Sequence, residues 1–364
     1  MTEAHTDAIM SGVDEVVIVG AGVSGLTTAW LLRQQGITAT VLEARDRVGG
    51  RTRSFAADTV HGDLGAAWIW PHQRGIAVLA DALGVTTYAQ YDRGDALFET
   101  PHEVSRFPAP DAGGARRFTG GAQRLCERLA EELSPSVRTG ARVERITQAG
   151  DTIQVSLSNG ERRRTRHLVL ALPPRVIAQA IRFEPPLAAE LQRALQHTPT
   201  WMGGSAKAIV TYAEPFWRAR GLSGFAVSQR GPLGELHDHS PEDGSAGAIM
   251  GFFAGVAAYA GTEDERRKRV LAQLARLYGP DASHCVSYAE HAWWLEDTSS
   301  APDDLVPLRE HPAYGEAALA RGWWDDSLWF AASETAAMQG GYLDGAVEAA
   351  VRVARQLMAG ARAT

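Results

Sequence analysis

The sequence predicts an α/β fold, and three observations near its start carry that prediction. Val16-Val17-Ile18-Val19 is a β-branched run that ends directly at a glycine-rich turn, Gly20-Ala21-Gly22-Val23-Ser24-Gly25. Residues 26–35 then have helical composition, with Gly36 placed to end the helix. Residues 37–42 return as a second β-rich run that closes on Glu43. Strand, turn, helix and strand in this order make a parallel βαβ unit with an acidic tip. A chain of 364 residues is long enough for about two domains at roughly 150 residues each, so a second domain is expected beside this one.

The remaining elements follow in order. Between Phe55 and Phe118 the pattern is broken by glycines, prolines and aromatics, and residues 106–114 read as a connection or domain edge. From Gly121 onward Ala122, Leu125, Cys126, Leu129, Ala130 and Leu133 form one apolar stripe of an amphipathic helix, which should pack on a sheet. Residues 141–147, 152–158 and 164–172 are three β-like runs separated by Gly150-Asp151 and Asn159-Gly160, a meander with hairpin turns. Pro173-Pro174 ends it and opens a stretch to about Ala320 with little periodicity and many tryptophans, read as the second domain. Leu328-Trp329-Phe330 returns as β, and residues 345–358 form a closing amphipathic helix with Asp344 as its expected N-cap.

Composition removes several classes of function. Hydrophobic residues at 45% and charged residues at 22% describe a soluble globular chain rather than a disordered one. A formal charge of −7 offers nothing to hold a phosphate backbone or an anionic membrane, so nucleic acid and membrane are not expected partners. Cys126 and Cys285 stand alone, in no disulfide or zinc pattern. The first fourteen residues carry Glu3, Asp7 and Asp14 and lack a basic leader followed by an apolar core, and residues 16–32 fall short of a membrane span. A cytoplasmic protein is the expectation. His237-Asp238-His239 has no third ligand nearby and reads as a solvated loop, so no metal is assigned.

Gly20, Gly22 and Gly25 make GxGxxG after a strand and before a helix, and Glu43 lies at the spacing that reaches a ribose. Gly20 permits the tight turn, Gly22 lets the backbone approach a pyrophosphate, Gly25 lets helix and strand pack closely, and the helix N-terminus, with Ser24 in its first turn, faces the phosphate charge. A bound dinucleotide is expected.

The run that follows, Leu42-Glu43-Ala44-Arg45-Asp46-Arg47-Val48-Gly49-Gly50-Arg51-Thr52, resembles the FAD-binding fingerprint of the flavin amine oxidase family. The resemblance continues in order over most of the chain, through Asp63-Leu64-Gly65-Ala66-Ala67-Trp68, Gly120-Gly121 and Val143, Gly204-Ser205-Ala206-Lys207 leading into Glu214-Pro215-Phe216-Trp217, where the likeness is to monoamine oxidase, and the closing residues 330–350. It implies a Rossmann-like FAD-binding domain (residues 13–75, 116–178 and 322–364) interleaved with a smaller α+β substrate-binding domain (76–115 and 179–321). It also implies that Glu43 holds the adenosine ribose with Arg45 near it, and that Gly50 and Arg51 approach the pyrophosphate. Ala66, Ala67 and Trp68 would pass the flavin ring and the Val143 main chain would hold the adenine. Trp293 would join the cofactor residues, Glu334 would bind the ribityl chain, Leu343 would offer its N–H to a flavin carbonyl, and Tyr342 would face the substrate.

Departures from the family pattern carry expectations of their own. The stretch 298–303 has no cysteine, so FAD should be non-covalent, and Pro302 and Asp303 stand where the second tyrosine of an aromatic cage is expected. Ala66 and Ala332 occupy usual glycine positions, and the segment 75–118 is short, which suggests a more open site or a covering partner chain, with a homodimer as one form. Lys207 taken alone reads as an exposed strand lysine in a salt bridge; the resemblance makes it the cation that assists reaction of reduced flavin with O2. Tyr342, Trp68, Trp70, Trp293 and Trp294 taken alone read as core aromatics, though lining a pocket their faces would suit an amine. The expected reaction is oxidation of a primary or secondary amine by hydride transfer to flavin N5, with imine hydrolysis and O2 reduced to H2O2. Open alternatives are a dehydrogenase or desaturase, an L-amino-acid oxidase using Arg218 or Arg230, and a non-catalytic FAD-binding protein.

Overall fold

The computed structural model describes residues 9–57, 60–306, 308 and 310–361; Glu3 and Asp7 of the N-terminal reading lie outside them. The β-branched run becomes the strand Ile9–Val19, flanked by two parallel neighbours, Ala39–Leu42 and Arg162–Leu170, with Val16 opposite both Ala39 and His167. Val137–Arg138 and Leu328–Phe330 extend the parallel part. Thr152–Leu157 pairs antiparallel with Val143–Ala149 and with Arg162–Leu170, turning at Gly150 and Gly160, both at positive φ, as the meander requires. Side chains alternate across a strand. Val16 and Ile18 therefore face a layer formed by the helices Val23–Arg33, Gln123–Leu133 and Leu343–Ala361, while Val17 and Val19 face Ile177, Leu191 and Leu195 on the other side.

Two local expectations are corrected. The last helix, Leu343–Ala361, begins before Asp344, so Asp344 is not its N-cap. Its carboxylate instead accepts the Ile76 N–H at 2.8 Å, satisfying an orphan donor in the first turn of the helix Arg74–Ala82, whose own N-cap Gln73 supplies no side-chain bond. The segment 106–114 is not all connection, because Val104–Pro108 is an edge strand.

The aperiodic stretch supplies five strands of a second sheet and residues 95–108 supply the last two, in the order Ser287–Ala292, Ala206–Tyr212, Gly247–Phe253, Leu233–Asp238, Leu222–Ser228, Asp95–Glu99 and Val104–Pro108. The helix Glu263–Tyr278 covers one face, packing Val270, Leu274 and Leu277 on Ala206, Ala208 and Val210. A capping box starts that helix: Glu265 N–H donates to Thr262 Oγ1 at 3.3 Å and Thr262 N–H to Glu265 Oε2 at 2.8 Å. The intervening residues of the same strand take the opposite face, where Ile209 meets Leu64 and Met250, and Lys207 lies two residues earlier on that face. Among the described residues no helix is long and apolar enough to cross a membrane.

Candidate active site

A cleft partly open to solvent, with about 1450 Å³ of space between its walls, is lined by residues from both sheets and their connections. One part of its wall is the glycine turn. A Cβ at Gly25 would lie 2.0 Å from Gly20 O, so this glycine is required by helix–strand contact and stands behind the wall rather than in it. Gly22 is different. A Cβ there would meet nothing closer than Gly49 O at 3.9 Å, and Gly20, Gly22 and Gly50 line the cavity as bare backbone. The helix Val23–Arg33 starts at Gly22 without any side-chain cap, leaving first-turn N–H groups for an anion. Ser24 lines the cavity as well, its hydroxyl donating to Ala331 O. These features form a cradle that fits a dinucleotide pyrophosphate.

Glu43 is buried at the end of the second strand, and its carboxylate accepts the Ala21 N–H at 2.9 Å and the Arg45 N–H at 3.0 Å. Arg45 reaches on to Glu296 at 2.8 Å and Ser299 at 2.6 Å, joining this corner to the segment that follows the strand Ser287–Ala292. Arg51 lines the cavity and pairs with Glu334, which is fully buried behind it. Burial works against the Arg51 charge, but Glu334 outweighs it and holds the guanidinium above its ordinary pKa. Val143 also stands outside the wall, its side chain buried in the ladder opposite Leu157.

The loop after Asp63 is fastened from two sides. Leu64 and Gly65 N–H donate to Arg53 O, and Ala66 N–H to Arg51 O. From the second sheet, Lys207 Nζ donates to Gly65 O at 2.6 Å and Trp293 Nε1 to Leu64 O at 3.0 Å. A Cβ at Gly65 would lie 2.1 Å from Arg51 O, so the glycine this turn demands is Gly65, and alanine at position 66 fits. Ala66, Ala67 and Trp68 then line the cavity, as does Ala332 opposite.

Lys207 corrects the exposed-lysine reading. Every residue of Ala206–Tyr212 is buried, and Nζ sits 4.7 Å from the Phe252 ring centroid and 5.3 Å from that of Trp68. No carboxylate lies within ion-pair distance of it among the described residues. Desolvation lowers its pKa to about 8, with Asp63 opposing the shift. Asp63 accepts Ser54 Oγ–H and the Ala122 N–H, both at 2.8 Å, and is itself pushed up by burial. His239 Nε2 accepts the Asp63 N–H at 2.9 Å, and burial holds the ring neutral. Asp238 is taken by Trp217 and Arg218, and His237 by Glu235, so the His-Asp-His residues serve separate structural partners.

The aromatic readings divide. Trp68, Trp70 and Trp293 line the cavity together with Tyr342 and Leu343, whereas Trp294 packs edge-on against Tyr259. Trp201, Met202 and Phe252, absent from the sequence-based set, complete the wall. Trp201 and Met202 directly precede Gly203-Gly204-Ser205-Ala206-Lys207, and that adjacency was the available signal. Gln90 was also missed: its Oε1 accepts from Trp68 Nε1 at 2.7 Å and its Nε2 donates to Asp238 O at 2.8 Å. His311 stacks on Tyr342 at 4.9 Å between ring centroids, while Pro302 and Asp303 lie outside the wall. Arg218, bound to Asp238, and Arg230, on a separate surface hollow, do not line it either.

Residues 106–358 match the family model described as flavin containing amine oxidoreductase, and residues 18–83 match that of an NAD(P)-binding Rossmann-like domain. The chain is 27% identical over 459 residues to a probable flavin-containing monoamine oxidase A of Dictyostelium discoideum, covering 96% of this chain and 98% of that one. It is 29% identical to the flavin-containing amine oxidase A of Sus scrofa, covering 94% and 85%. Among solved structures, cyclohexylamine oxidase from Brevibacterium oxydans superposes with a TM-score of 0.83 at 21% identity, covering 96% of this chain and 100% of that one. A putrescine oxidase bound to putrescine superposes at 0.81 and 24%, covering 95% and 99%.

Proposed function

The chain belongs to the flavin containing amine oxidoreductase family, an FAD-dependent oxidoreductase acting on amines, and from that premise we propose that it converts a primary or secondary amine to the imine with O2 as electron acceptor. The observation that carries this reading is Lys207, a buried cation without a carboxylate, held to the Gly65 carbonyl at the meeting of the glycine cradle and the aromatic wall. When bound, FAD would supply the two-electron oxidant for the amine, with O2 as the final acceptor reduced to H2O2.

The protein's share is to hold and to exclude. The bare backbone at Gly22 and Gly50 and the uncapped helix start would bind the pyrophosphate, and Glu43 the ribose hydroxyls. Arg51, which lines the cavity and is held from behind by the buried Glu334, would supply the phosphate contact, and Glu334, outside the wall, would act through it. Neither cysteine lines the cavity, which supports a non-covalent cofactor: Cys126 is buried against Thr52 and Cys285 lies beside Arg267. Trp68, Tyr342 and Phe252 would keep water from the α-carbon and favour the neutral amine, whose nitrogen lone pair drives hydride loss. Lys207 would stabilise negative charge developing on O2.

The test is a visible spectrum of the purified protein before and after acid precipitation, followed by anaerobic titration with an amine panel. Flavin released by acid, bleached by an amine and restored by air is the expected result. Bound flavin that no amine bleaches would overturn the proposal.

A further inference from the structure

Resting on the reading in which Lys207 assists the O2 half-reaction, we infer that its charge is set by two positioning residues behind the cavity wall, Asp63, which sustains the cation, and Arg117, which opposes it. Neither residue lines the cavity. Lys207 Nζ is held on the Gly65 carbonyl, two residues along the chain from Asp63. The Asp63 N–H donates to His239 Nε2 at 2.9 Å, and Arg117 Nη1 donates to the carbonyl of the next residue, Ser240, at 3.0 Å. His239 and Ser240 thus gather the carboxylate and the guanidinium into one buried cluster. Asp63, Arg117 and His239 are each at most 1% exposed.

The cluster leaves charge unmatched. Among the described residues Arg117 has no carboxylate within ion-pair distance, and its Nε and Nη2 find no hydrogen-bond acceptor. A guanidinium keeps its proton in a protein, so Arg117 remains a cation. Asp238 is taken by Arg218 and Trp217. Asp63 Oδ1 accepts the Ala122 N–H and the Ser54 hydroxyl, whereas Oδ2 has no hydrogen-bond partner. A neutral carboxyl would carry an O–H without an acceptor, because His239 Nε2, 3.9 Å from Oδ2, already accepts the Asp63 N–H. The ionised form is therefore the one this site accommodates, although burial opposes it. Two buried cations then share one carboxylate, and of the two only Lys207 can shed its proton. Away from water a charge acts well beyond contact. Asp63 draws the Lys207 pKa up and Arg117 draws it down, against the larger loss of hydration that leaves it at about 8.

The other titratable groups around Lys207 are matched locally. Burial keeps His239 neutral and pushes the Tyr88 phenol up. His291, opposite Lys207 on the neighbouring strand, is lowered to about 4 by burial, and Glu296 beside it is engaged by Arg45 and Arg53. His237, edge-on to Trp68, bonds Glu235.

The test reads the charge on Lys207 without turnover. Lys207 and Lys268 are the only lysines in the chain, so lysine isotope-labelled at Cε gives two NMR signals, which Lys268→Arg assigns. The holoenzyme, with its flavin oxidised, is titrated across the neutral and alkaline range. Asp63→Asn keeps an oxygen for the Ala122 and Ser54 donors and removes the charge; the Lys207 midpoint should fall by about one pH unit or more. Arg117→Met removes the opposing cation, and the midpoint should rise by about one pH unit or more. A merely structural role predicts something else: loosening that admits water restores hydration and raises the midpoint in both variants. A rise or no change in Asp63→Asn therefore overturns the inference, as does a fall or no change in Arg117→Met. In stopped-flow reoxidation the pH at which the rate declines should move with the NMR midpoint in each variant. Midpoints that shift as expected in a protein whose flavin no amine bleaches would sink the oxidation reading and leave the charge pair standing. Unshifted midpoints in an enzyme that is bleached by amine and restored by air would sink the inference and leave amine oxidation intact.

Discussion

The two parts of the cavity are built from different material. Where the glycine turn meets the helix Val23–Arg33, the wall is backbone: Gly20, Gly22 and Gly50 present peptide groups, and the residues making them lie close together in sequence. Around Lys207 the wall is side chain, brought in from Trp68, Trp201, Phe252, Trp293 and Tyr342, positions scattered from one end of the chain to the other. A backbone wall tolerates almost no substitution, because a Cβ either strikes the fold or fills the ligand's space. A side-chain wall tolerates exchange of one apolar ring for another, so it is the part in which substrate preference can change while the fold persists.

The largest expected effect follows from this contrast and comes from two alanine substitutions three residues apart. Gly25→Ala places a methyl 2.0 Å from Gly20 O. It should destabilise the protein by about 3 kcal/mol or more, with flavin lost as a consequence of a damaged fold. Gly22→Ala meets nothing within 3.4 Å. The apoprotein should lose about 1 kcal/mol at most, while FAD retention on gel filtration is abolished. Equal thermal stability of the two variants would mean that the two glycines do not divide between packing and ligand as the geometry indicates.

Next in size is Lys207→Met. The amine should bleach the flavin at nearly the wild-type rate, while reoxidation by O2 slows by about a hundredfold or more, since a charge stabiliser is removed from the second half-reaction alone. Stopped-flow measurement of the two half-reactions separates them, and equal slowing of both would assign Lys207 to substrate binding instead.

The same residue supplies a pH test. Its folded pKa is lowered from 10.5 to about 8 by burial. Above pH 8 the folded protein loses this cation, so reoxidation should fall with rising pH in the wild type and show no such fall in Lys207→Met. Between 8 and 10.5 the unfolded chain holds a proton that the folded chain has released, so Lys207's contribution makes stability rise with pH through that window. The Tm advantage of the Met variant should therefore shrink as pH is raised across it. A constant difference would mean that Lys207 is not desolvated.

What was legible in the sequence follows the same division. The βαβ unit could be read because its requirements are local: a β-branched strand, three glycines at fixed spacing, an acidic strand tip. The second sheet could not be, because Ala206–Tyr212 is buried on both faces and shows no alternation, and its partners Gly247–Phe253 and Ser287–Ala292 lie far along the chain. The helix Glu263–Tyr278 does carry a local signal in the sequence, the Thr262 and Glu265 capping pair. For the tryptophans, residue type alone favours core packing, and only the fold separates Trp68 on the cavity wall from Trp294 against Tyr259.

The smallest expected effect tests whether the side-chain wall is held as firmly as the backbone one. Gln90 is nearly buried and fixes the Trp68 indole by accepting its N–H, while its own amide donates to the Asp238 and Tyr91 carbonyls. Gln90→Met removes both sides of this clamp. It should cost about 1–2 kcal/mol of stability and raise KM for a bulky amine by a few-fold, with FAD content and the rate of reoxidation unchanged. Loss of stability alone would be the result of a merely structural role. Gln90→Glu separates the two, because its carboxylate still accepts from the indole while the donors to Asp238 and Tyr91 are lost. If the orientation of Trp68 sets KM, the Glu variant is as destabilised as the Met variant yet keeps the wild-type KM; if KM rises equally in both, the wall depends on the link to the second sheet and not on the indole bond.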